Sequence, residues 1–237
     1  MIVLAVDTSG PVCGVAVTQD GRVRYEGAAV NRLTHSANLM PMVDEALFRA
    51  GLTLREMDLL GCVVGPGSFT GVRIGVSTVK GLAHGTGKPC VAVDALEALA
   101  AGAGHGPALL CPIQDARAGQ VYGAVFRAGF PPKRLLANEA ETLDAFVDHA
   151  LALAEPGQPL CFPGDGAPVH RAALLARLGS RALFPPGLFA YLRPAAVALL
   201  AEAHAADSVD YLALTPTYLR APQAERARAV KLGAVKP

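Results

Sequence analysis

The chain has no tryptophan, and only five tyrosines and eight phenylalanines are spread over its 237 residues. Without aromatics interleaved among basic residues there is no stacking platform for single-stranded nucleic acid. Neither sign of charge dominates, since 21 Lys and Arg face 20 Asp and Glu. That balance sets up no long-range field, so the chain alone is expected to grip a polyanion weakly. The five cysteines (13, 62, 90, 111 and 161) are odd in number, show no metal spacing and sit mostly in apolar runs. They read as buried thiols in a reducing compartment. No uncharged apolar stretch reaches membrane-spanning length, and no signal-peptide pattern precedes Asp7. The expectation is a soluble cytoplasmic protein with no membrane partner.

The standard nucleotide motifs are also missing. A P-loop needs a lysine directly after its second glycine, and the nearest lysine to the Gly-rich stretch, Lys80, lies well down the following helix. A dinucleotide fingerprint needs a third glycine where Thr70 stands. What is there is Gly65-Pro66-Gly67-Ser68-Phe69-Thr70-Gly71-Val72-Arg73, after the apolar run Leu59–Val64. Strand, glycine turn and helix N-terminus make either a sharp corner or an anion cradle, with Ser68 and Thr70 as candidate caps. Along the helix expected from Val72 to about Gly85, Gly71, Gly75, Gly81 and Gly85 recur at four-residue spacing in two pairs. Each interior glycine costs a helix up to about 1 kcal/mol relative to alanine, so a close neighbour is expected on that face. The neighbour is another helix of this chain or a partner chain.

Taken in order, Met1–Val6 is a strand ending in Asp7-Thr8-Ser9-Gly10, followed by a hairpin over Val12–Thr18 and Arg22–Val30. Leu39, Met42, Val43, Ala46, Leu47 and Ala50 mark one face of a helix closed by Gly51. His35 at its entry reads as a capping or hydrogen-bonding group or as a ligand. Cys90–Val93 is a strand, and Asp94 caps the helix that follows. The loose stretch 101–107 reads as a domain junction. The second half again opens with hairpin strands, and Gly164-Asp165-Gly166-Ala167 forms a turn into a further helix. Two halves that open alike point to a duplicated α/β fold, the second copy trimmed. The basic end (Arg226, Arg228, Lys231, Lys236) reads as a solvated tail or a contact for an acidic partner.

Several of these pieces together resemble the TsaB (YeaZ) family, subunits of the bacterial machinery that makes threonylcarbamoyladenosine in tRNA. They are Leu4–Ser9, His35-Ser36 with Leu39 and Pro41, the Gly65–Gly75 block, Lys80–Ala83, Ala95–Leu99, Asp115–Arg117 with Val121-Tyr122, and Pro216–Arg220. The resemblance implies an actin-like (ribonuclease H-like) fold of two lobes, each a mixed sheet flanked by helices. The first lobe is expected at 1–103 with 207–237, and the second at 104–206. It implies a non-catalytic subunit that heterodimerises with TsaD, the transferase, with TsaE as third partner. Alone, a homodimer is expected, and tRNA is met only through the complex.

The implied contact surface is the first lobe's helix pair, which places His35, Leu39, Met42, Gly71, Gly75, Thr78 and Leu82 on it. A vestigial nucleotide site would fall on Asp7, Thr8, Ser9, Asp115, Gly164 and Gly166, with ATP or ADP at the partner boundary. TsaD-type proteins carry a His-x-x-x-His metal pair where this chain has Ala95 and Leu99, and no other two of its six histidines have that spacing. No catalytic or metal-binding residue is therefore expected. The alternative is an enzyme acting alone, an actin-like ATPase or a glycoprotease-type metallopeptidase.

Overall fold

The computed structural model describes residues 1–31, 34–104 and 106–220. The basic tail named above lies outside the described residues. In chain order the elements are β1 (Ile2–Asp7), β2 (Cys13–Gln19), β3 (Arg22–Ala29), α1 (His35–Ala50), β4 (Leu59–Gly65), α2 (Phe69–Thr86), β5 (Cys90–Asp94) and α3 (Ala95–Gly102). They continue with β6 (Leu109–Leu110), β7 (Ile113–Arg117), β8 (Gln120–Arg127), β9 (Lys133–Thr142), α4 (Leu143–Leu153), β10 (Leu160–Cys161), α5 (Gly166–Leu178), β11 (Ala182–Leu183) and α6 (Pro194–Ala203).

The first sheet runs β3-β2-β1-β4-β5, with β1 antiparallel to β2 and parallel to β4. Helices cover both of its faces, which is why its inner strands read as unbroken apolar runs. Alternate residues of β1 divide between the faces: Leu4 and Val6 pack with Val43, Val72 and Val76 of α1 and α2. Val3 and Ala5 pack with α3 and α6. In the second sheet β6 and β7 both pair with β8, so they act as one interrupted strand. Counted so, the order is β9-β8-β6/β7-β10-β11, with the same parallel and antiparallel pairings as the first. The duplication is thus a duplication of topology, with short strands in the second copy.

The expected boundary at 206/207 puts α6 with the second lobe, and packing moves it to the first. Pro194 and Ala201 lie over Gly14 and Gly61, where added Cβ atoms would come within 2.3 and 2.8 Å of them. Val197 and Leu200 are fully buried there, each contributing about 1.5–3 kcal/mol. At the start of α6, Glu26 of β3 pairs with Arg193 and accepts the Ala195 N–H at 3.0 Å. Downstream, Val209 and Cys90 exchange backbone hydrogen bonds of 2.8 Å, and Thr217 N–H donates to Val64 O at 2.7 Å. Residues 194–220 therefore return to the first sheet.

Candidate functional site

The end of β1 is buried: Asp7, Thr8 and Ser9 are each 1% exposed. Their polar atoms are largely committed within the chain. Asp7 Oδ1 accepts the Ser9 N–H at 2.8 Å, and Thr8 Oγ1 donates to Gly71 O at 2.7 Å. Ser9 O accepts the Ser68 N–H at 2.7 Å. His35 Nε2 lies 2.9 Å from Gly10 O, so His35 anchors the turn from α1. Ser68 caps α2 by accepting the Gly71 N–H at 3.3 Å.

These contacts supply the close neighbour expected for Gly71 and Gly75 and take both off the implied contact surface, the neighbour being the chain's own first turn and not a helix. A Cβ on Gly71 would lie 2.0 Å from Thr8 O, and one on Gly75 would lie 2.6 Å from Thr8 Oγ1. Both glycines are absent side chains that let α2 press onto the chain's own first turn. Gly65, at φ +124°, serves the C-terminal segment likewise, since a Cβ there would meet Thr217 O at 2.4 Å. Leu39 is also turned inward, at 1% exposed. By contrast Gly81 and Gly85 have nothing within 4 Å. Met42, Thr78 and Leu82 are half-buried.

Across from this turn the second lobe brings Gln114, Asp115 and Asp165. Gly164, at φ +111°, and Gly166 ride directly on β7: a Cβ on Gly164 would lie 2.1 Å from Ile113 O, and one on Gly166 would lie 3.0 Å from the Gln114 carbonyl carbon. These glycines therefore serve strand–turn packing. Between the lobes lies a cleft of about 650 Å³, with Ser9, Gly67, Phe69, Asp115, Arg117 and Tyr218 among its lining. One wall is a stack in which the Arg73 guanidinium sits 3.8 Å from the Phe69 ring centre, and Arg73 Nε donates to Tyr218 Oη at 2.8 Å. Arg220 Nη1 donates to Ala116 O at 3.0 Å, tying the returning segment to the second lobe.

Deeper in, a small void of about 10 Å³ is lined by Asp7, Ser9, Gln114 and Asp165, among others. Asp7 Oδ2, Ser9 Oγ, Gln114 Oε1 and Asp165 Oδ1 are buried and have no protein partner. Burial pushes the Asp7 carboxyl up to about 6, against the Ser9 N–H bond and the pull of His35, and Asp165 adds to the rise. Asp165 is raised as well by burial, against the backbone N–H groups of Asp115, Asp165 and Gly166, with a smaller rise from the Asp115 charge. Gln114 carries no motif and was not singled out above; its only signal is an amide closing an apolar run before Asp115.

An ATP or ADP group, as the fold implies, has room in the cleft. The donors do not fit a phosphate cradle held by this chain alone. The Ser9 and Ser68 amides are already bonded, no lysine among the described residues lines the cleft, Arg220 is bonded to Ala116 O, and the carboxyls of Asp115 and Asp165 line the cleft beside Arg117. Of the expected nucleotide set, Asp7 and Ser9 of the first lobe meet Asp115 and the Gly164–Gly166 turn of the second at a seam of mixed charge.

Two sheets of one strand order, with a cleft lined by the first turns of both lobes, define the actin-like ATPase class. A family model described as TsaD, tRNA N6-adenosine threonylcarbamoyltransferase, matches residues 29–228. The tRNA threonylcarbamoyladenosine biosynthesis protein TsaB of Bacillus subtilis is 32% identical over 95% of this chain and 96% of its own. TsaB of Escherichia coli is 38% identical over 54% of this chain and 55% of its own. The solved YeaZ from Pseudomonas aeruginosa superposes with TM-score 0.76 at 27% identity, covering 92% of this chain and 99% of that one. The chain belongs to the TsaB (YeaZ) family.

Proposed function

We propose that this chain is a non-catalytic accessory subunit in tRNA threonylcarbamoyladenosine biosynthesis, acting by pairing with the TsaD transferase, with TsaE as a further partner. The observation that carries this reading is the fate of the two positions where TsaD-type chains place a metal-binding histidine pair. Ala95 is fully buried and Leu99 is 3% exposed, both inside the core beneath the first sheet. They are apolar packing, not degraded ligands. Among the described residues no cluster of three or more His, Cys, Asp or Glu is arranged to hold a metal.

The docking surface we assign is the outer side of α1 and α2. Phe48 of α1 is 79% exposed and Met40 is 41% exposed. On α2, Thr78, Gly81, Leu82 and Gly85 follow one helix face, and its two glycines are open. Open glycines let a partner helix approach closely. Gly81→Leu is therefore expected to abolish co-purification with TsaD while raising the melting temperature slightly, because a helix interior prefers leucine to glycine by about 0.5–1 kcal/mol. Retained co-purification would reject this face. The test of function is reconstitution with TsaD and TsaE, assaying tRNA modification with each omitted. Modification by this chain alone, with threonylcarbamoyl-adenylate supplied, would end the accessory reading.

A further inference from the structure

We propose that Asp7, Gln114 and Asp165 hold one water and one shared proton at the seam between the lobes, and that losing the proton loosens the seam. The proposal is independent of any partner chain.

The geometry sets the terms. Asp7 ends β1 of the first sheet, Gln114 lies in β7 of the second, and Asp165 stands immediately before α5. Asp7 is 1% and Gln114 6% exposed. Three of the unpartnered atoms on the void, Asp7 Oδ2, Asp165 Oδ1 and Gln114 Oε1, are acceptors as ordinarily ionised, and Ser9 Oγ can donate once. Buried acceptors without donors are costly, so the seam needs donors from outside this set. A void of about 10 Å³ has room for about one water, which brings two.

Hydrogen bonds alone leave the buried Asp7 carboxylate on the same void as Asp165, which is half-buried and has backbone N–H groups of Asp115 and Gly166 favouring its charge. The groups facing Asp7 are His35 from α1, which favours its charge, and Asp165, which opposes it. The Cys13 and Cys62 thiols of β2 and β4 lie near it but are held neutral by burial. Asp165 in turn faces Asp115. Arg117 and Arg220 line the wider cleft, outside the residues around the void. With so little compensating charge, a proton kept on the pair satisfies both the charge and the hydrogen-bond count. A hydrated divalent ion does not suit the space, since magnesium demands six ligands and keeps several waters.

The sign follows from the direction of the shift. A carboxyl held higher folded than unfolded stabilises fully below its unfolded value, near 4, and that contribution is lost as pH rises through about 6. The experiment is thermal unfolding of the full chain from pH 4.5 to 8, for the wild type, Asp7→Asn and Asp165→Asn, with infrared detection of protonated carboxyls. Wild-type melting is expected to fall across this range. Asp7→Asn keeps the Oδ1 acceptor for Ser9 and should flatten the fall, melting about 5–10 °C higher than wild type at pH 7.5. A buried carboxylic-acid band should appear at pH 5 in the wild type and be lost in Asp7→Asn. If Asp7→Asn fails to fold, the same flattening and band loss in Asp165→Asn support the proposal. Equal pH profiles in the wild type and the folded variants, with the band unchanged, overturn it. So does melting raised by magnesium, calcium or potassium chloride in the wild type but not in Asp165→Asn, which would make the seam a cation site.

Discussion

Gly71→Ala is expected to lower the stability of the chain by about 3 kcal/mol, read as a reduced midpoint in urea unfolding. The added methyl would sit 2.0 Å from Thr8 O, a backbone atom that no side-chain rotation can move. Either α2 slides off β1 or β1 bends, and both responses weaken the Thr8 Oγ1 to Gly71 O and Ser68 N–H to Ser9 O bonds. Overpacking of this kind costs about 1–3 kcal/mol, and each strained hydrogen bond adds about 1. Gly81→Ala on the same helix is the control, because nothing lies within 4 Å of it, and it should stabilise by up to about 1 kcal/mol. If both alanines behave alike, α2 is not seated on the first turn as described.

Placing histidines at both Ala95 and Leu99 is expected to cripple folding without creating a metal site. The double variant would put two imidazoles into a space now filled by Val93, Leu96, Val197 and their neighbours. Leu99 also borders Gly164, 3.3 Å from where a Cβ there would lie, so an imidazole of different shape would set a polar ring against the second lobe's turn, while the ring at Ala95 adds volume. Burying each polar ring without partners costs about 1–3 kcal/mol, and overpacking adds a similar amount. Together these approach the roughly 5–15 kcal/mol that stabilises a typical domain. Thermal unfolding and elemental analysis check this together. Stoichiometric zinc or iron in a variant that melts like the wild type would show that the fold still accommodates a metal there and would undercut the accessory reading.

Much of the fold is legible in the residues because the pattern there is local. The strand β1 with its hairpin mates, the α1 stripe from Leu39 to Ala50 and the caps at Ser68 and Asp94 all follow from neighbours a few positions apart. The Thr53–Glu56 capping box is equally local, with Thr53 N–H donating to Glu56 Oε2 at 2.7 Å. What sequence could not supply is which side of a structure closes on which. Gly71 and Gly81 look alike in the sequence, yet one faces Thr8 and the other faces outward. The same limit misplaced α6, whose alanines and leucines suit any apolar layer. Its assignment to the first sheet depends on Gly14 and Gly61, more than a hundred residues away. Gln114 escaped notice because one buried amide among apolar residues carries no spacing, and its meaning comes only from Asp7 and Asp165 across the seam.

The return of α6 also orders events during synthesis. The first five strands emerge early, but the layer that covers their inner side, Val197 and Leu200 included, is translated only after the whole second lobe. Until then Val3, Ala5 and Ala16 have only part of their apolar cover, and the nascent chain offers a sticky sheet to chaperones. Ribosome-bound chains halted before residue 194 should therefore be protease-sensitive in their first hundred residues, and released full-length chains should not.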